Sequence, residues 1–264
     1  ARELARSLGA TYYCWNINDL LQGYHRLVEQ SIDRKLTWET DDIPLQNIQA
    51  RVRAPGVWFI ANLQGGLLLT TSNRSEAAVG YATMDGDTAG GLAPLGGVDI
   101  PGLRYVNNLQ PTAELRPGTY NQTDETDLMP YPVLDKIEKC AIRDYKSPLE
   151  TFLTLQGLAP DDILEGWIRK FYTLWARNQW KRERYAPSFH LDDSNLDPRT
   201  WCRFPILSGG YAAELQALKD YLDKQKAIAQ QQGRREAERQ EAGKQKDQKR
   251  KVKKQKGPKT EDTD

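Results

Sequence analysis

The stretch 65–97, GGLLLTTSNRSEAAVGYATMDGDTAGGLAPLGG, gathers hydroxyls, carboxylates and glycines around the end of one short apolar run. Leu67-Leu68-Leu69 has the pattern of a strand buried on both faces. The polar burst Thr70-Thr71-Ser72-Asn73 follows, and Asn73 with Glu76 three residues on reads as a capping box opening a helix. In an open α/β sheet, ligands bind at the carboxyl end of such a strand, and the amides and dipole of the next helix favour phosphate there. Beyond that helix, Tyr81-Ala82-Thr83-Met84 leads into a loop with Asp85, Asp87 and several glycines. The combination suits a magnesium-bound nucleotide. A purely structural reading stands beside it: Glu76 as a helix cap only, and Asp85 and Asp87 as turn formers.

A second candidate pair precedes this stretch. Residues 45–61 read as a helix carrying Asn47 and Arg51 four apart, so that an amide and a guanidinium share one face. Together they can grip a phosphate or a carboxamide, although a surface salt-bridge helix would look the same. Pro55-Gly56 predicts a kink inside this helix. Lys181 follows Trp180 in a KRER run and, on its own, reads as a solvated lysine.

The remaining elements must position these groups. A helix over 1–8 closes at Gly9, a strand is predicted over 11–17, and an amphipathic helix over 20–32. Helices are also predicted from Tyr131 and, as two pieces, over 152–180, where Leu164, Ile168, Phe171 and Trp175 recur at helical spacing. An aromatic pair, Trp201 and Phe204, is expected to pin the irregular segment 188–205 to the body. The apolar run at 67–69 followed by a capped helix suits an α/β fold, with C-terminal helices and a basic tail. The domain is expected to span 1–215 and the polar tail 216–264, with residues 230–264 too poor in apolar side chains to order themselves.

Composition narrows the classes. In 264 residues the formal net charge is +1, which gives no general preference for polyanions, so a nucleic-acid partner is not expected. The Lys/Arg excess is confined to the tail. Three scattered cysteines and two histidines exclude a disulfide framework, a CxxC site and a histidine-based zinc centre. No signal peptide or membrane-length apolar run is present, so the expected location is cytoplasmic.

Taken together and in order, QNIQARVR, TTSNRSE, GYATMDGD, PTAELRP (111–117), QTDETDLMPYPVLDKIE (122–138) and NQWKRERYAPSFHLDD (178–193) resemble the synthetase domain of NAD synthetases. The similarity is closest to the bacterial glutamine-dependent branch and extends over about 1–215. This resemblance implies a doubly wound parallel sheet, Rossmann-like and of ATP pyrophosphatase type. The implied reaction is ATP-dependent adenylation of deamido-NAD, releasing pyrophosphate, followed by displacement of AMP by ammonia from a glutaminase domain. Position by position it implies Glu76 as a Mg2+ ligand and Thr71 and Thr112 as ATP contacts. Asn47, Arg51, Glu76, Tyr81, Ala82, Thr83, Met84 and Lys181 become deamido-NAD contacts, and a homo-oligomer is expected.

Two departures from the family pattern are visible. The Ser-Gly-Gly-x-Asp-Ser phosphate loop expected upstream is not present, and Ser208-Gly209-Gly210 imitates it only in letters. The chain is therefore read as N-terminally truncated. Gly97-Val98-Asp99 also runs into Ile100-Pro101-Gly102, where the family has an ATP-binding lysine and a helix. These departures support a rival reading as a non-catalytic nucleotide-binding or assembly fragment. A third reading, a GMP or asparagine synthetase, is opposed by the PTAELRP and NQWKRER blocks.

Overall fold

The structure is a computed structural model, and its described residues are 1–99, 115–116 and 124–255. Thr112, the segment following Asp99 and most of the PTAELRP motif lie outside them. Two units are present, 1–212 and 213–264.

The first unit opens with α1 (Arg2–Ser7) and α2 (Asn18–Ile32). Gly9, at φ 66°, ends the first turn of chain as expected. The segment 11–17 is irregular instead of a strand, and its aromatic residues Tyr12, Tyr13 and Trp15 are exposed. β propensity alone does not make a strand where no neighbouring strand pairs with it.

The helix predicted over 45–61 is two helices, α3 (Asp42–Arg51) and α4 (Ala54–Gln64). Pro55 sits at the start of α4, where its missing N–H costs nothing, so the proline begins a helix and does not kink one. Next come α5 (Arg74–Val79), α6 (Asp124–Asp127) and α7 (Tyr131–Glu138), which runs into a wider π turn at Lys139–Arg143. The unit continues with α8 (Pro148–Leu155), α9 (Asp161–Arg177) and α10 (Gln179–Arg182).

Its core is built around α9. Leu164, Ile168, Phe171, Tyr172 and Trp175 are buried, as the helical spacing of the apolar residues requires. Leu134, Ile137 and Ile142 are buried in the α7 region, and Ala78 and Val79 on α5. Phe204 packs edge-on against Trp175, with ring centroids 5.8 Å apart, and Trp201 packs against His190. The Phe204 contact holds the irregular segment 188–205 to α9, whereas the Trp201 contact lies within that segment and not, as expected, against the body.

Among the described residues, β structure is limited to two parallel bridges, Leu69 with Leu92 and Ala93 with Ser188. Thr70 N donates to Leu92 O, Gly91 N to Leu68 O and Ala93 N to Pro187 O. Three extended segments therefore run side by side in parallel, with 91–93 in the middle. Leu67 and Leu69 are 64% and 50% exposed, against the expectation of a strand covered on both faces.

The second unit is dominated by α11 (Ala212–Gln255). The sequence reading of an unordered segment from residue 230 is corrected here: the backbone is helical to Gln255 while residues 223–246 stay exposed. Ala, Gln, Lys, Arg and Glu, which dominate this segment, are the strongest helix formers, so a helix needs no buried face to be locally favoured. No helix among the described residues is long and apolar enough to cross a membrane.

Candidate functional site

The site is organised by α5, a helix of only six residues whose two ends are both closed by side chains. At its N-terminus the predicted capping box is complete. Asn73 Oδ1 accepts from Glu76 N at 3.0 Å, and Glu76 Oε2 accepts from Asn73 N at 3.2 Å. Arg74 N donates to Val98 O, so the Arg74 and Glu76 amides at the start of α5 are used within the protein and not left for a phosphate. Glu76 remains half-buried and Thr71 is exposed.

At the other end, side chains from the 178–182 segment take the last carbonyls of α5. Asn178 Nδ2 donates to Val79 O at 2.7 Å, and Arg182 Nη1 to Ala78 O at 2.8 Å. Lys181 Nζ donates to Gly80 O at 2.7 Å and Ala82 O at 2.9 Å. Cations at this end also complement the helix dipole. Burial pushes the Lys181 ammonium down from its usual value, and the nearby Asp87 partly restores it. Arg182 is fully buried, its guanidinium 3.9 Å from the centre of the Trp175 ring, and burial lowers its pKa to about 10.

Gly80 makes this junction possible. Its φ of 66° lies in the left-handed region, and a Cβ there would come within 2.4 Å of the Asn178 side chain. The chain then turns through Tyr81–Met84 and returns to α3. Arg51 Nε donates to Met84 O at 3.0 Å, and Thr83 Oγ1 donates to Asn47 Oδ1 at 3.1 Å. Gly86 allows this close approach, since a Cβ there would meet Ala50 at 3.0 Å. The helix face predicted from Asn47 and Arg51 is therefore real, and it faces the 81–84 loop.

Asp87 closes the loop from inside. Its Oδ1 accepts from Thr83 N at 2.8 Å, and its carbonyl accepts from Thr70 Oγ1 at 2.8 Å. Although part of the residue reaches solvent, the enclosing protein lifts its carboxyl above the ordinary range. The Thr83 N–H, Lys181 and Arg53 oppose that shift. Tyr81 OH donates to Asp127 Oδ2 at 2.8 Å, linking the loop to α6.

Of the sequence-predicted residues, Asn47, Arg51, Tyr81, Ala82, Thr83, Met84 and Lys181 thus meet at one loop. Glu76 and Thr71 lie at the opposite end of α5 and beyond it. Beside the loop lies a cavity of about 540 Å³, lined by Arg51, Met84, Trp58, Tyr24, Asp85 and Arg184 among others. A pocket of this size, with apolar walls and few polar groups, is typical of small-ligand sites.

A residue the sequence reading passed over is Arg74. It is 2% exposed, and its Nη1 reaches Asp192 Oδ1 and Oδ2 at 2.8 Å and Gly97 O at 3.2 Å. Nη2 donates to Asp99 Oδ2 at 3.1 Å. The buried Glu138 faces it, with Oε2 4.0 Å from Arg74 Nε, beyond hydrogen-bond distance. Burial pushes the Glu138 carboxyl up to about 8, against the pull of Ser75 and Arg74 and with the push of Asp135 and Asp99. The only sequence signal for Arg74 was its place inside SNRSE; its carboxylate partner Asp192 lies far along the chain.

Among the described residues no group of three or more His, Cys, Asp or Glu side chains could hold a metal ion alone. Glu76, a single half-buried carboxylate, fits the kind of Mg2+ site in which substrate phosphates and waters supply the other ligands.

The NAD synthase family model matches residues 1–184. The glutamine-dependent NAD(+) synthetase of Aquifex aeolicus is 35% identical over 221 residues, which are 78% of this chain and 36% of that protein. Its counterpart in Thermotoga maritima is 33% identical over 208 residues, 70% of this chain and 33% of that protein. The crystal structure of a glutamine-dependent NAD(+) synthetase from Cytophaga hutchinsonii is 50% identical, with a TM-score of 0.72. It is matched over 83% of this chain and 37% of that one. The chain thus spans 33–37% of the length of these relatives.

Proposed function

Because the chain belongs to the NAD synthase family, we propose that it is the synthetase portion of a glutamine-dependent NAD synthetase, a carbon–nitrogen ligase. In this reading it binds deamido-NAD and ATP, transfers AMP to the carboxylate of deamido-NAD, and lets ammonia displace AMP to form the carboxamide. Ammonia comes from glutamine through a glutaminase domain. A carboxylate is a poor electrophile, and adenylation gives its carbonyl carbon a good leaving group.

The observation that carries the reading is the meeting of Arg51, Asn47 and Lys181 on the single loop 80–84. Arg51 brings positive charge to a cavity that Trp58, Tyr24 and Met84 also line, as an anionic dinucleotide requires. Lys181 is a positioning residue here: it holds the carbonyls of Gly80 and Ala82, and so sets the loop against which Arg51 is aligned. Thr71, exposed after the extended segment, and Thr112 are assigned to ATP. Glu76 would hold Mg2+ together with phosphate oxygens, and the metal would neutralise phosphate charge during transfer.

The parallel pairing of 68–70, 91–93 and 187–188 supports a doubly wound parallel sheet of ATP pyrophosphatase type. The synthetase domain is taken as 1–215. Exposed apolar residues on α2 and α4, including Leu20, Leu27, Phe59 and Leu63, support burial in a homo-oligomer.

Calorimetric titration of deamido-NAD into this chain tests the reading. Binding that weakens at least tenfold in Arg51→Ala is the expected result. No binding by the unsubstituted chain would sink it and leave an assembly role.

A further inference from the structure

The KRER run is applied to the 77–85 segment residue by residue. Arg182 takes carbonyls of α5, Lys181 those of Gly80 and Ala82, and Arg184 the side chain of Asp85. The first two are tied to backbone atoms and are half-buried or buried. Arg184 differs. Its Nη2 lies 2.7 Å from Asp85 Oδ1 in a pair whose side chains are 51% and 63% exposed, and both residues line the cavity beside Arg51.

The two members of this pair are not equally free. Asp85 sits at φ 62°, its N donates to Thr88 Oγ1, and Thr88 Oγ1 in turn donates to Thr83 O. The carboxylate is therefore presented from a fixed left-handed turn, whereas Arg184 reaches it on a long flexible stem. An exposed ion pair of this kind contributes roughly 0–1 kcal/mol. A desolvated anion in the cavity can outbid it for the guanidinium, because hydrogen bonds to charged groups strengthen as water is excluded.

We propose that Arg184 is a second specificity-determining cation of the cavity, and that Asp85 holds it aside until an anionic group of the ligand takes its place. This rests on the dinucleotide reading given above. Arg51 of α3 and Arg184 both line the cavity, so it offers two guanidinium groups. Trp58, Tyr24 and Met84 line it with them and supply apolar surface. A planar heteroaromatic group carrying a carboxylate, or the phosphates attached to it, has the matching chemistry. No bond is made or broken in this exchange; an anionic oxygen of the ligand replaces the Asp85 carboxylate on the guanidinium.

The test is calorimetric titration of deamido-NAD and of NAD, which differ only in carboxylate against carboxamide, into the full chain and its variants. Arg184→Gln is expected to weaken deamido-NAD binding about tenfold. Asp85→Asn keeps a residue that tolerates the left-handed turn and frees Arg184, and is expected to tighten binding about two- to fivefold. That gain must vanish when Arg184→Gln is also present. A loss confined to deamido-NAD assigns Arg184 to the carboxylate, and an equal loss for both ligands assigns it to phosphate. Binding that Arg51→Ala weakens but Arg184→Gln leaves intact overturns this inference alone. A gain from Asp85→Asn that persists without Arg184 also overturns it. If neither dinucleotide binds the unsubstituted chain, the dinucleotide reading falls and this inference falls with it. Thermal melts of each variant separate these outcomes from loss of fold.

Discussion

Lys181 Nζ lies 2.7 Å from Gly80 O and 2.9 Å from Ala82 O, so one ammonium closes both the end of α5 and the loop that follows it. The sequence left Lys181 as either a solvated lysine or a ligand-facing charge. Its two carbonyl partners give it a further job, which is to fix the loop that Arg51 and Asn47 meet. Replacement by Met keeps the stem and leaves those half-enclosed carbonyls without the cation. The expected cost is about 1–3 kcal/mol, read from urea unfolding. Lys181→Arg should recover part of it, and wild-type stability in Lys181→Met would show the contacts to be incidental.

Asn73 and Glu76 separate stability from metal binding. Asn73→Ala removes the acceptor for Glu76 N and should cost about 0.5–2 kcal/mol. Glu76→Gln keeps a side-chain oxygen for Asn73 N, so its melting temperature should stay close to that of the unsubstituted chain. If Glu76 holds Mg2+ as proposed, the same variant should lose the Mg2+ dependence of ATP binding in calorimetry. A variant that binds ATP with unchanged Mg2+ dependence would reduce Glu76 to a helix cap.

Arg74 is the residue whose removal should damage the fold most. Arg74→Met removes the cation that Asp192, Asp99 and the carbonyl of Gly97 share at the start of α5, and leaves Glu138 facing an apolar chain. Breaking one side of a fully buried charge pair costs about 3–5 kcal/mol, and the half-exposed Asp192 brings the expected loss to the lower end of that range or below it. Arg74→Lys preserves the charge but cannot fork between two carboxylates, so an intermediate loss is expected in the same unfolding experiment.

These residues show what was legible beforehand. The Asn73–Glu76 box and the Asn47–Arg51 face follow from spacing within one helix, and local rules suffice for both. The α3–α4 break was signalled by Pro55 but misplaced, because proline starts a helix as readily as it ends one. Arg74, Arg182 and Asn178 were passed over because their partners lie far away in the chain. Nothing local distinguishes a buried arginine inside SNRSE or KRER from a solvated one. The apolar run 67–69 misled in the opposite direction: three leucines predict burial, yet how much they bury depends on which neighbours flank them.

Glu138 makes stability depend on pH in a direction opposite to that of an ordinary salt-bridged carboxylate. Its carboxyl titrates near 4.5 in an unfolded chain and is pushed up to about 8 when folded. Between those values the folded state binds the extra proton, so this group's contribution is fully present below pH 4.5 and is lost as pH rises toward 8. Above 8 both states are ionised and the contribution no longer changes. The loss across the window is on the order of several kcal/mol, since each unit of displacement corresponds to roughly 1.4 kcal/mol. Glu138→Gln, which mimics the protonated side chain, should therefore flatten the stability profile between pH 5 and about 8. It should also be the more stable protein at the alkaline end. Denaturant unfolding at a series of pH values measures this directly. Parallel profiles for the two proteins would mean that Arg74, 4.0 Å away, keeps Glu138 ionised across the range and that the buried pair is an ion pair after all.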